Sequence, residues 1–323
     1  MDDLPEERLT LKTFAKINLG LNVQGKRSDG MHTIRSVMQL IDLHDVLHFG
    51  FKPSSRILIS CQHPLVPDRE RSEENIIYRA AKIFGMQDGV EVFLKKNIPV
   101  GAGLGGGSSN AAGTAAMVAC ILQGCSPDQI RNWQKKAVAL GADVPFFFGG
   151  GTQIARGLGG ELEALPPMED YWIVLLCPPV ACSTGEIYQI WDALEQNHTA
   201  REVPFEKIKQ ACIEGTLLDV FPLLQNDLEN AALRRYPSLV KWKEMLHDIS
   251  GRPVLMSGSG STFFTLYRNS KQAYSDHHKL KQCIQNYNGA RSFLASFRSG
   301  PGWSVVSGRE KSNEGRDTEN FSG

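Results

Sequence analysis

Residues 99–110 read PVGAGLGGGSSN, with glycine at positions 101, 103, 105, 106 and 107. The segment follows an apolar run that ends near Lys96 and precedes an Ala-rich stretch from Ser108 to Leu122. A strand, a glycine loop and a helix start in this order make an anion site. Backbone without side chains lets N–H groups converge on phosphate oxygens, and the helix N-terminus contributes roughly half a positive charge. Ser108 and Ser109 add hydroxyl donors or a contact for Mg2+. Two other phosphate loops fail on context. Gly101, Gly103 and Gly106 satisfy G-x-G-x-x-G, but a dinucleotide-binding unit needs a second parallel strand and an acidic residue about 20 positions on. Asp128 stands at that offset, in the first turn of another helical pattern. A Walker A loop needs Lys and then Ser or Thr after its last glycine, whereas Gly106 is followed by Gly107 and Ser108.

Upstream of the loop the chain is β-rich. From Ala15 to Val23 it alternates, with Ala15, Ile17, Leu19, Leu21 and Val23 on one face and Lys16, Asn18, Gly20 and Asn22 on the other, which predicts a strand with one buried face. The turn signal GKRSDG at 25–30 follows, then β-like runs around 37–43, 57–61 and 90–94. Ser72 opens a helical run with Ile76, Ile77, Ala80, Ala81, Ile83 and Phe84 on one side, closed by Gly85. Ser126, Pro127 and Gln129 read as an N-cap, a first-turn proline and a capping-box partner. Ile130, Trp133, Ala137 and Leu140 form that helix's apolar stripe, and Gly141 ends it. A second block starts near Trp172 with the strand WIVLLC. It continues through several helical patterns to His247, then a strand, glycine turn and strand in PVLMSGSGSTFFTLY, and a helix from about Gln272 to Gln285.

Composition limits the function classes. Lys+Arg and Asp+Glu are equal at 35 each, so no global basic field draws the chain to nucleic acid or to an anionic membrane. A phosphate-bearing ligand needs a local site. The seven cysteines show neither a C-x-x-C pair nor a metal-binding cluster with histidines and read as reduced thiols of a cytoplasmic protein. No apolar run approaches the roughly 20 residues that cross a bilayer. Asp, Glu and His do not cluster as they would around a resident metal.

With those features in place, the chain resembles the GHMP kinases. PVGAGLGGGSSNAA is similar to their second motif, the strand FAKINLGLNV carrying Lys16 to their first, and MSGSGSTFF at 256–264 to their third. Within that superfamily AKINLGLNVQGKRSDGMH, GLGGGSSNAA and LGADVPFFF resemble the branch whose acceptor is a cytidine diphosphate-linked methylerythritol, in the non-mevalonate route to isoprenoid precursors. The resemblance implies an α+β, two-lobed kinase, with an N-terminal lobe like domain 2 of ribosomal protein S5 and a ferredoxin-like C-terminal lobe. The expected boundaries are residues 1–163, 164–308 and a disordered tail at 309–323.

For the site it implies ATP on Pro99, Val100, Gly101, Ala102, Gly103, Leu104, Gly105, Gly106, Gly107, Ser108 and Ser109, with Asn75 and Lys96 lining the adenine pocket. Mg2+ then arrives with ATP, held mainly by phosphates and water. Asp143, two residues after a helix-ending glycine, serves on residues alone either as a turn brace or as the acceptor of the substrate hydroxyl's proton. The resemblance makes it the catalytic aspartate. Lys16, which alone reads as a solvated side chain on a strand, becomes the catalytic-site lysine that orients Asp143. Asn18 shares its face and contacts substrate. The resemblance places cytosine against His32, between position 31 and Tyr188, and Thr184 near the diphosphate. Met31 stands where the family commonly has tyrosine. Asn75, Thr184 and His32 also fit ordinary cap and turn roles.

The acceptor is then a small molecule, and the protein a monomer or weak homodimer with no nucleic-acid or membrane partner. Another GHMP kinase of the homoserine or mevalonate type, a non-catalytic ligand sensor and a dinucleotide-dependent oxidoreductase are the competing readings.

Overall fold

The computed structural model describes residues 8–51, 56–123, 127–195 and 204–306. The tail at 309–323 and the expected cap Ser126 lie outside them. The first half is built on a seven-stranded sheet. Its two long strands, β1 (Arg8–Lys26) and β2 (His32–Phe51), pair antiparallel around the turn expected at 25–30. β2 pairs with β5 (Thr152–Gly157) along residues 34–39 and with β4 (Val90–Lys95) along residues 46–51. Beyond β4 lies β3 (Leu58–Cys61), parallel to it, and beyond β5 lies β6 (Glu161–Ala164). One strand can serve two neighbours because β1 and β2 slip register at Phe14/Ala15, Asn18/Gly20 and Val23/Gly25, and such bulges bend a ladder.

The sheet is covered by α1 (Ile76–Ile83), α2 (Gly106–Gln123), α3 (Pro127–Ala137) and the single turn α4 (Phe146–Gly149). The small residues of α2 let it lie hard against β1: a Cβ on Gly113 would stand 2.7 Å from Thr13 Cγ2 and 2.9 Å from Leu11 Cδ2. Asn75, and not Ser72, caps α1, its side chain accepting from the Ile77 N–H at 2.9 Å. Ser72 is one turn too early, and its Oγ receives the Ile59 N–H from β3 instead.

The second half is a four-stranded antiparallel sheet of β7 (Trp172–Cys177), β8 (Leu255–Met256), β9 (Phe263–Tyr267) and β10 (Arg291–Ser296), in the order β10-β7-β9-β8. Between β7 and β8 run α5 (Thr184–Glu195), α6 (Phe205–Glu214), α7 (Leu217–Val220), α8 (Leu228–Arg235) and α9 (Ser238–Ser250). Between β9 and β10 runs α10 (Ser270–Ile284). A strand order of fourth, first, third, second is the ferredoxin-like arrangement that the family resemblance implies. The last described strand, β11 (Trp303–Val306), pairs with β1 in the first sheet, although the expected boundaries put it with the second lobe.

The lobes share a core. Ala15, Ile17 and Leu19 of β1 are fully buried in one cluster with Ile173, Leu175, Phe264 and Leu266 of the second sheet. Each of the larger of these side chains contributes about 1.5–3 kcal/mol when withdrawn from water, so the apolar face of β1 binds the halves together. Its other face is not solvated as the alternation suggested. Lys16 and Asn18 are each 4% exposed, because that face forms the floor of the cleft between the lobes. Cys120 is disulfide-bonded, against the expectation of reduced thiols, while Cys61, Cys177, Cys182, Cys212 and Cys283 are free. Among the described residues no helix is long and apolar enough to cross a membrane.

Candidate active site

A cleft of about 480 Å³ runs between the lobes along the glycine loop, lined by every residue from Pro99 to Ser108. Gly101, Gly103 and Gly105 all have positive φ, at 66°, 76° and 68°, so left-handed residues alternate with Ala102 and Leu104. Alternation of this kind is the backbone pattern by which anion-binding nests turn successive N–H groups toward one concavity. The requirement for glycine is steric as well: a Cβ on Gly103 would lie 2.0 Å from the Ser257 carbonyl oxygen, and one on Gly105 would lie 2.9 Å from both Lys16 Cγ and Phe147 Cζ. α2 begins directly after the nest. Ser108 lines the cleft, whereas Ser109 is fully buried and its Oγ donates to the Gly302 carbonyl at 3.4 Å. Of the two serines, only Ser108 lines the cleft.

Lys16 stands on the floor beside the nest. Its Nζ lies 3.3 Å from Asp143 Oδ2 and donates to Asn18 Oδ1 at 2.7 Å. Asn18 in turn donates to Ser36 Oγ at 2.8 Å, which donates to the Gly20 carbonyl at 2.7 Å. This chain fixes the ammonium from the strand side. Asp143 is delivered by the turn before α4, whose Phe146, Phe147 and Phe148 are buried. The carboxylate keeps 35% of its side-chain surface exposed, toward the cleft that it lines. A buried cation fixed at two points beside an accessible carboxylate can orient that carboxylate and stabilise negative charge developing on a bound hydroxyl.

The roof is the turn 256–260, and its supports went unnoticed in the sequence. Ser257 Oγ donates to the Gly103 carbonyl at 2.9 Å and accepts from the Asn18 N–H at 3.3 Å, tying the glycine loop to β1. Asn226 holds the turn from behind, donating to the carbonyls of Met256 and Gly258 at 2.8 and 2.7 Å, while Glu229 accepts the Met256 N–H at 3.0 Å. Asp227 between them accepts from Asn22 Nδ2 and the Val23 N–H. Asn-Asp-x-Glu is legible in hindsight as a polar cluster opening a helix, but polar residues there also read as a plain N-terminus.

At one end of the cleft Leu65, Val66, Pro67, Ile76, Leu94 and Pro99 form an apolar wall beside Asn75 and Lys96. Neither polar residue is idle without ligand. Asn75 caps α1 and donates to the Pro67 carbonyl at 2.7 Å. Lys96 pairs with the fully buried Asp45 at 2.6 Å and donates to the Ile98 carbonyl at 2.7 Å. Burial holds the Lys96 pKa below its ordinary value despite Asp45.

At the other end Thr184, Tyr188 and Asp192 share one face of α5 at four-residue spacing. Thr184 Oγ1 hydrogen-bonds Ser259 Oγ at 2.9 Å, and both residues line the cleft with Tyr188. The Tyr188 hydroxyl is pushed up to about 12, by burial first and then by the charge of Asp143. Tyr188 stacks on His32, with ring centroids 4.6 Å apart, while Met31 is 53% exposed. The aromatic partner of Tyr188 is therefore His32. Asp192, absent from the sequence reading, accepts from both His32 and Lys26. Among the described residues no group of three or more His, Cys, Asp or Glu could hold a metal ion.

Comparisons with known proteins bear on the family and the fold. The family model for the GHMP kinases N terminal domain matches residues 75–151 and that for the GHMP kinases C terminal matches residues 208–285. The chain is 36% identical over 300 residues to the 4-diphosphocytidyl-2-C-methyl-D-erythritol kinase of Alkaliphilus metalliredigens, covering 87% of this chain and 98% of that one. It is 38% identical over 269 residues to the enzyme of that name from Pelotomaculum thermopropionicum, covering 82% and 91%. A crystal structure of 4-(cytidine 5'-diphospho)-2C-methyl-D-erythritol kinase superposes with a TM-score of 0.68 at 30% identity, over 90% of this chain and 100% of that one. Homoserine kinase from Cytophaga hutchinsonii, at 15% identity, shares the fold with a TM-score of 0.69 over 95% and 99% of the two chains. A nest feeding α2, a lysine–aspartate pair on the cleft floor and kinship across both lobes converge on one assignment: the chain belongs to the GHMP kinases, in the family of the 4-diphosphocytidyl-2-C-methyl-D-erythritol kinases.

Proposed function

We propose that this cleft transfers the terminal phosphoryl group of ATP to the 2-hydroxyl of 4-diphosphocytidyl-2-C-methyl-D-erythritol, a step of the non-mevalonate pathway to isoprenoid precursors. The observation that carries the reading is the Lys16 Nζ to Asp143 Oδ2 pair at 3.3 Å, set on the cleft floor beside the nest of Gly101, Gly103 and Gly105. The nest and the first turn of α2 receive the phosphates, and the apolar wall from Leu65 to Pro67 receives adenine next to Asn75 and Lys96. Asp143 accepts the proton of the acceptor hydroxyl as its oxygen bonds to the γ-phosphorus. The bond from that phosphorus to the bridging oxygen breaks, and ADP leaves. Lys16 holds Asp143 in place and offsets the charge that grows on the attacking oxygen. Asn18 positions the acceptor, Thr184 its diphosphate, and the end of the cleft around Tyr188 and His32 its cytosine.

The Ser108 hydroxyl would be the protein oxygen nearest a Mg2+ carried in by ATP, which would supply charge neutralisation at the phosphates. The same reading makes the protein cytoplasmic, a monomer or weak homodimer, independent of nucleic acid and membrane, and divided near residue 163. ADP release from a panel of alcohols, with and without a cytidine diphosphate group, tests the assignment. Turnover confined to the cytidine-linked acceptor is expected. Turnover with homoserine or mevalonate instead overturns the choice of acceptor, and none with any alcohol overturns the reading as a kinase.

A further inference from the structure

The His32 ring is boxed by one helix. Tyr188 stacks on its face at 4.6 Å and 24°, Trp191 meets it edge-on at 5.8 Å and 88°, and Asp192 Oδ1 lies 2.5 Å from Nε2. Lys26 Nζ donates to the other carboxylate oxygen of Asp192 at 2.6 Å. Although its burial acts to raise the Asp192 pKa, the hydrogen bonds from Lys26 and His32 hold it below the ordinary carboxylate value. An ionised carboxylate has no proton to give, so the nitrogen facing it must carry one. A ring that carries a single proton therefore has it on Nε2, toward Asp192, and leaves Nδ1 able to accept.

We infer that Asp192 is a positioning residue, which makes the site select cytosine over uracil by fixing the tautomer of His32. The inference rests on the proposal that this end of the cleft takes the nucleobase. The two bases differ at the fourth ring position, where cytosine carries an amine that donates and uracil a carbonyl that accepts. An accepting Nδ1 suits the amine and repels the carbonyl. The opposite tautomer, with its proton on Nδ1, would suit uracil. Base choice is thereby set by a carboxylate that faces His32 from α5 and stands behind the ring.

Asp192→Asn separates this role from a purely structural one. The amide has nearly the same shape, but it offers Nε2 either its oxygen or its NH2 group, so both tautomers become available. With cytidine- and uridine-diphosphate-linked acceptors assayed at pH 8, the KM for the cytidine form should rise and that for the uridine form should fall. Their ratio should shrink by about tenfold, the size of one lost hydrogen-bond preference, with the KM for ATP unchanged. The nitrogen-15 shifts of the His32 imidazole should move from a single tautomer toward a mixture in the same variant. Should Asp192→Asn change both acceptors equally while His32→Ala abolishes the discrimination, Asp192 is only a strut and the inference fails alone. Should His32→Ala itself leave the discrimination intact, the placement of the base fails and takes the inference with it.

Discussion

Gly106 and Gly107 open α2 side by side, and the structure separates what each contributes. A Cβ on Gly106 would stand 2.8 Å from Lys96 Nζ and 2.9 Å from Ile98 Cγ2. Neither neighbour can retreat easily, since Lys96 is paired with buried Asp45 at 2.6 Å and Ile98 is fully buried. Forcing a methyl into such a site costs about 1–3 kcal/mol, offset by up to about 1 kcal/mol from replacing glycine with alanine in a helix. A Cβ on Gly107 would meet only Ile76 Cγ2, at 3.9 Å, so the same helical gain there is unopposed. Taking the middle of that range, about 2 kcal/mol, Gly106→Ala should lose about 1–2 kcal/mol, a fall in Tm of about 2–8 °C at the scale of domains this large. Gly107→Ala should hold or raise the Tm.

The order reverses for nucleotide. Gly107 is exposed and lines the cleft beside Ile76, so its new methyl occupies the space over the helix N-terminus where a phosphate would sit. The KM for ATP should rise by about tenfold or more, equivalent to at least about 1.4 kcal/mol of binding, with the KM for the acceptor little changed. Differential scanning fluorimetry without nucleotide and steady-state ADP release measure the two effects separately. An unaltered Tm for Gly106→Ala would refute the packing argument. A normal KM for ATP in Gly107→Ala would move the phosphates away from this helix.

Asp143→Asn should leave ATP binding nearly intact and lower turnover by roughly 10²-fold or more, as read from single-turnover kinetics. Combined with Lys16→Ala it should lose far less than the product of the single losses; fully multiplicative losses would mean that the pair at 3.3 Å does not act as a unit. Asn226→Ala strips donors from the carbonyls of Met256 and Gly258, each a partner worth about 1 kcal/mol or more when buried. It should lower kcat more than it raises the KM for ATP, and an equal effect on both would make the turn a ligand for the phosphates. Burial pushes the Cys177 thiol up to about 12 and those of Cys182 and Cys212 to about 11, while Cys283 is exposed. Because the thiolate is the nucleophile, iodoacetamide at pH 8 should label Cys283 well before those three, as read by peptide mass spectrometry.

What was legible in the sequence follows from how local each signal is. The glycine loop announces itself because positive φ at Gly101, Gly103 and Gly105 leaves glycine nearly the sole choice at three alternating positions. The strands and most helices likewise follow from periods contained in a few residues. Local signals mislead where a second element intrudes. The alternation from Ala15 to Val23 predicts one dry face and one wet face, but the turn at 256–260 and the glycine loop close over the polar face and bury Lys16 and Asn18. Ser108 and Ser109 look equivalent as neighbours in a string. On a helix they are about 100° apart, and the segment at Gly302, nearly two hundred positions later, takes the hydroxyl of Ser109.

The residues that were missed share a different property, for Asn226, Glu229 and Asp192 act on backbone or on another side chain in the described structure. Asn226 and Glu229 fasten the turn that carries Ser257, and Ser257 in turn bridges Gly103 and Asn18. Asp192 acts on His32 and Lys26. Such residues have no characteristic sequence partner, because their contacts cross between the lobes or from helix to strand. Asn226 and Glu229 thereby hold the turn at 256–260 over the floor on which Lys16 stands 3.3 Å from Asp143. Orientation at that precision is where phosphoryl transfer draws much of its rate. It follows that substitutions at Asn226 or Glu229 bear on the chemistry of the cleft as much as substitutions along its lining do.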